Sequence, residues 1–127
     1  MRFLRPNSRE HYVTRMLRLM RDKRFLKAVA ALRRARTTGP IPPPHALWKL
    51  GRWCIEHNRA KDAAVVLQLF ADLYGNHEDR AQVLHDLALA YSGAGRVKRA
   101  AQVAREALRL GGRTPAVSAQ PEAASAG

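Results

Sequence analysis

Apolar residues recur at intervals of three and four along most of the chain, in stretches parted by short polar or glycine-containing breaks, the pattern of amphipathic helices. The clearest stretch lies late in the chain. Leu84, Leu87, Ala88 and Tyr91 share one helical face, Gly93-Ala94-Gly95 interrupts it, and Val97, Ala100, Ala104, Ala107 and Leu108 make a second stripe. Upstream, Leu47, Leu50, Gly51 and Cys54 are followed by a break at His57-Asn58-Arg59 and then by Ala60, Ala63, Leu67, Phe70 and Ala71. Nearer the start, Tyr12, Met16 and Leu19 precede Asp22-Lys23-Arg24 and then Phe25, Ala28, Leu32 and Ala35.

Superposing these stretches aligns Ala28, Ala63 and Ala100, spaced by 35 and 37 residues. A small residue near the start of each second helix lets the pair approach closely, while larger side chains a turn away fill the groove. The pattern predicts an all-α fold of three antiparallel helix-turn-helix repeats forming a short right-handed α-solenoid over residues 9–112, in units of about 9–43, 44–80 and 81–112. Residues 37–44, TTGPIPPP, cannot continue a helix because consecutive prolines lack amide donors, so they join the first two units. Gly111-Gly112 ends the last helix. Residues 113–127 are expected to be a disordered Ala- and Pro-containing tail, and residues 1–8 a basic arm.

These positions resemble tetratricopeptide repeats. In the third unit Leu87-Ala88, Tyr91, Gly95, Ala100 and Ala107 fall where that family places its Leu-Gly/Ala, Tyr, Gly and two Ala; the second keeps Leu50-Gly51 and Ala63 with Cys54 in place of Tyr, and the first has Arg15 at the Leu position. The frame is also similar to pentatricopeptide repeats, whose units end in Gly followed by Pro, as at Gly39 and Pro42 or Gly111 and Pro115. The second likeness implies RNA binding, with base-reading pairs at Val13 with Pro43 and His85 with Pro115, and Trp48 at the first position of the second unit. None of these is the Asn, Ser or Thr with Asp or Asn that a one-base-per-repeat code uses.

Charge adds what periodicity lacks. Lys and Arg number 23 against 10 Asp and Glu, a formal +13, and residues 1–36 hold twelve of the cations with only Glu10 and Asp22. The first hairpin is therefore where phosphate or an acidic surface is expected to be met. On ideal helices Arg15, Arg18 and Arg21 oppose Tyr12, Met16 and Leu19, and Lys27 and Arg34 lie away from Phe25, Ala28 and Leu32. With Arg24, and with Arg2, Arg5, Arg9, Arg33 and Arg36 nearby, these six form the candidate nucleic-acid face.

Trp48 and Trp53 are candidates for anchoring a partner, since a rigid aromatic offers large contact area at low entropic cost. Five residues apart, they are not expected to share a helix face, which puts at least one near the surface or at a repeat interface. Tyr91 joins them as an aromatic that could stack a base or anchor a partner. The pair Cys54 and His57 has the i, i+3 spacing of two metal ligands, but the chain's single cysteine makes a packing role the better reading, and no metal site is expected.

There is no Gly-rich loop ending in Lys-Ser/Thr, no Gly-x-Ser-x-Gly and no His-Glu-x-x-His, and His85-Asp86 and His77-Glu78-Asp79 read as solvent-side residues. Neither enzyme activity nor a cofactor or small-molecule substrate is expected. A lone cysteine needs no oxidising compartment, and no apolar run approaches the roughly 18 residues of a membrane span. An intracellular location without membrane insertion is the expectation, and the Arg-rich, acid-poor N-terminus has the composition of a mitochondrial targeting segment as well as that of a solvated helix. Two functions compete. One is a scaffold subunit of a multi-subunit complex, with RNA on the first hairpin and protein on the later ones; the other is an adaptor or chaperone holding an acidic partner or partner helix in its groove.

Overall fold

The computed structural model describes residues 11–34 and 41–111. Over these residues the chain is all-helical: α1 (Tyr12–Arg21), α2 (Phe25–Arg34), α3 (Pro44–Glu56), α4 (Ala60–Leu73), α5 (Arg80–Gly93) and α6 (Val97–Gly111), with no strand among them. The expected arm and tail, with Arg2, Arg5, Arg9 and Arg36, lie outside the described residues.

The helices of the pairs α1/α2, α3/α4 and α5/α6 pack on one another, and α4 lies along α5. By contrast α2 meets α3 over a much shorter stretch, while α2 also reaches α4 and α3 reaches α5. Met16, Leu32, Leu47, Leu50, Leu67, Phe70 and Leu87 are fully buried between these helices. Each such side chain contributes about 1.5–3 kcal/mol by leaving water.

The three turns inside the pairs share one geometry. Arg24, Arg59 and Arg96 each donate their N–H to a carbonyl five residues back, that of Leu19, Cys54 and Tyr91 respectively, at 2.8 Å in every case. The preceding residue is left-handed each time: Lys23 at φ 62°, Asn58 at 60° and Gly95 at 83°. This C-terminal closure reverses the chain tightly enough to lay the second helix on the first. Ala28, Ala63 and Ala100 then fall four residues beyond the three arginines, and all three are buried.

In the second pair the helices come close at Gly51, where a Cβ would overlap the Leu67 side chain. The linker ends firmly. Pro42 is buried and its carbonyl accepts a hydrogen bond from the Tyr74 hydroxyl just past α4. Pro44 then opens α3, where its missing N–H costs nothing. One expected stripe is only half used: on α6, Ala100, Val103 and Ala107 are buried, but Val97 is 69% and Leu108 66% exposed. Among the described residues no helix covers that side of α6 as α5 covers α4.

Candidate functional site

At 100° per residue, His45, Trp48, Lys49, Arg52, Trp53 and Glu56 occupy the side of α3 opposite its buried Leu47, Leu50 and Cys54. Together with Phe25 from the start of α2 they line a cleft of about 430 Å³, open where α2 and α3 meet least. Both tryptophans therefore line one site, from separate parts of the helix surface. The ~140° between them sets them at the two margins of a broad face, with Arg52 and Lys49 between.

Each indole is held. Trp48 Nε1 donates to Asp86 Oδ2 on α5 at 2.7 Å. Arg52 lies 3.7 Å from the same oxygen. Asp86, expected at the solvent side, is 6% exposed because its place on α5 faces α3. Its burial is offset by the indole N–H and the guanidinium. Trp53 stacks on Phe25 with centroids 5.0 Å apart and on His57 at 4.2 Å. His57 is itself fixed by an Nδ1–H donated to the Trp53 carbonyl at 2.8 Å. The cleft is thus preorganised, with two rigid aromatic walls and the Lys49 and Arg52 cations between them.

Of the cations singled out in the first hairpin, Arg18, Arg21, Arg24, Lys27 and Arg34 are exposed and Arg15 is half-buried. Val13, one of the base-reading positions implied by the pentatricopeptide likeness, is buried and offers nothing to a base. Arg33 instead crosses to α4, donating to Asp62 at 2.7 Å, and Arg59 donates to the other oxygen at 3.0 Å. Tyr91 is buried, with its hydroxyl donating to Gln68 Oε1 at 2.7 Å and the Arg96 guanidinium 5.3 Å from its ring centroid.

Cys54 is fully buried, and burial foremost, with the nearby Asp62 charge, pushes its thiol up to about 11. A thiol so placed is a packing group and a poor ligand. Sequence reasoning missed Asp86, Lys49 and Arg52. The signal for Asp86 was present: it is the single acid in the run Val83–Tyr91, which is apolar but for it and His85. Among the described residues no helix is long and apolar enough to cross a membrane. Comparison with protein-family models, with curated proteins and with solved structures finds no match to this chain.

Proposed function

We propose that this chain is a non-enzymatic helical-repeat scaffold, three helix-turn-helix units of the tetratricopeptide or pentatricopeptide kind in a short right-handed solenoid, which holds a segment of a protein partner in the α3 cleft. The recurrence of one turn at Lys23, Asn58 and Gly95 supports the repeat reading. The observation that carries the function is the cleft: two immobilised indoles flanking Lys49 and Arg52. Such a surface suits a segment with an apolar side chain to seat between the aromatics and a carboxylate to meet the cations.

The chain's two tryptophans both line the cleft, so occupancy is readable in intrinsic fluorescence. Panning a displayed peptide library on the full chain should enrich apolar segments bearing Asp or Glu, and a selected peptide should shift the emission. Arg52→Glu with Lys49→Glu should abolish that shift. Enrichment without acidic bias, or peptides indifferent to the double variant, would overturn the reading.

The exposure of Arg18, Arg21, Arg24, Lys27 and Arg34 favours a second contact, with RNA backbone on the first hairpin of the same scaffold. It predicts sequence-indifferent affinity that falls steeply with salt and is lost in the Arg18→Glu, Arg21→Glu, Lys27→Glu variant. Filter binding at low salt decides it. Retention of protein partners after nuclease treatment separates the two contacts.

A further inference from the structure

The exposed side of α6 has a covered counterpart. The shared turn geometry puts Arg59 and Arg96 in register, which pairs Ala60, Ala64, Gln68 and Ala71 of α4 with Val97, Ala101, Arg105 and Leu108 of α6. On α4 this face holds α5. The Ala60 Cβ lies 3.0 Å from where a Cβ on Gly93 would stand. Gln68 accepts from the Tyr91 hydroxyl, and the Ala71 carbonyl accepts from Arg80 at 2.6 Å. Ala64 and Ala71 are accordingly 6% and 7% exposed. On α6 the same four positions face solvent, Val97 and Leu108 at 69% and 66%.

We infer that this face of α6 docks an amphipathic helix from a different protein, one that lies as α5 lies on α4 and presents a carboxylate to Arg105. The pattern of substitutions in the register specifies the occupant. Where α4 offers the Gln68 carbonyl oxygen to a hydroxyl donor, α6 offers the Arg105 guanidinium, which donates and never accepts. Asp72 of α4 is likewise replaced by Arg109. Arg109 already has Glu106 of α6 at 3.8 Å, so it is Arg105 that requires an acidic group on the incoming helix, and a carboxylate facing a guanidinium is the strongest such pairing.

A second copy of this chain is a poor occupant. In a two-fold pairing of α6 with itself the face Val97, Ala101, Arg105 and Leu108 offers no acid to Arg105, and the chain carries +13 overall. The partner is an acidic helix that runs antiparallel to α6, with apolar residues at i, i+7 and i+11 to meet Leu108, Ala101 and Val97 in turn. This surface is separate from the α3 cleft.

The test uses a fluorescent peptide of residues 78–94, the α5 segment, with Tyr91→Glu, and a control peptide with Tyr91→Lys, titrated against the full chain by anisotropy. The Glu peptide should bind at least about ten-fold more tightly than the Lys peptide, and Arg105→Glu should invert that preference. Leu108→Glu should abolish binding of both while leaving the melting temperature unchanged, since the residue is exposed. Lys49→Glu, an exposed cleft residue, should leave binding intact, which keeps this outcome distinct from the fate of the cleft. Equal binding of the two peptides, absence of binding, or a dimer in sedimentation velocity that Leu108→Glu dissolves would each overturn the inference.

Discussion

The Trp48 indole N–H and the Asp86 carboxylate meet at 2.7 Å, so a buried charge on α5 orients the aromatic wall of a cleft on α3. Removing one partner leaves the other desolvated and unpaired. Asp86→Ala should therefore destabilise by about 1–3 kcal/mol in urea unfolding, and Trp48→Phe, which frees the carboxylate of one donor but leaves Arg52, by less. The variants should also differ at the cleft: in Asp86→Ala the Trp48 emission should broaden and shift as the indole loses its fixed rotamer. Unchanged stability and emission would mean that the contact orients nothing.

The second pair of helices is closed by a shape relation. Gly51 leaves no room for a methyl group against Leu67. Helix propensity favours alanine over glycine by about 1 kcal/mol, whereas overpacking costs about 1–3 kcal/mol, so Gly51→Ala should be net destabilising. Leu67→Ala alone should cost about 2–5 kcal/mol by cavity formation. The double variant should cost clearly less than the two together, because the new methyl enters the space the leucine vacates. Additive losses in chemical denaturation would show that the two sites do not touch.

Much of this was legible in the sequence, for a physical reason. Positions such as Leu50, Ala63, Leu67 and Leu87 are dictated by the 3.6-residue period and small-large pairing, and all four are fully buried. What periodicity could not show is which side of a helix finds a second neighbour. Val97 and Leu108 have the same local pattern as buried residues, yet no described helix lies over them, because cover is a property of neighbouring helices and not of α6's own residues. Trp48 and Trp53 were legible as aromatics of interest, but their joint cleft depends on α2 standing off from α3. Asp86 was legible as a lone acid and no further: only the α3–α5 contact turns it into the anchor of an indole.

The three turns give a stability series with opposite signs. Lys23 and Gly95 hold the same left-handed backbone, which an L side chain adopts at a cost of about 1–2 kcal/mol and glycine adopts freely. Gly95→Ala should therefore destabilise by about 1 kcal/mol, while Lys23→Gly should stabilise by about 0.5–1 kcal/mol despite the greater entropy of its unfolded chain. Asn58→Gly should change least, since asparagine already tolerates this region. Thermal melts of the three single variants check the order.

Cys54 makes part of the stability depend on pH. Its thiol titrates near 9.0 when solvated and is pushed up to about 11 in the fold, chiefly by burial. Below pH 9 it is neutral in both states and its contribution is complete. Between pH 9 and 11 the unfolded chain releases the proton while the folded chain retains it, so stability falls by up to about 1.4 kcal/mol per pH unit. The difference in unfolding free energy between the parent chain and Cys54→Ala should thus shrink over that interval, whereas a pH-independent difference would show the thiol to be solvated. Burial lifts the Tyr12 and Tyr74 hydroxyls in the same direction, and the comparison with Cys54→Ala cancels their share. Thiol-specific reagents should accordingly leave the folded chain unlabelled at neutral pH and label it at once in denaturant.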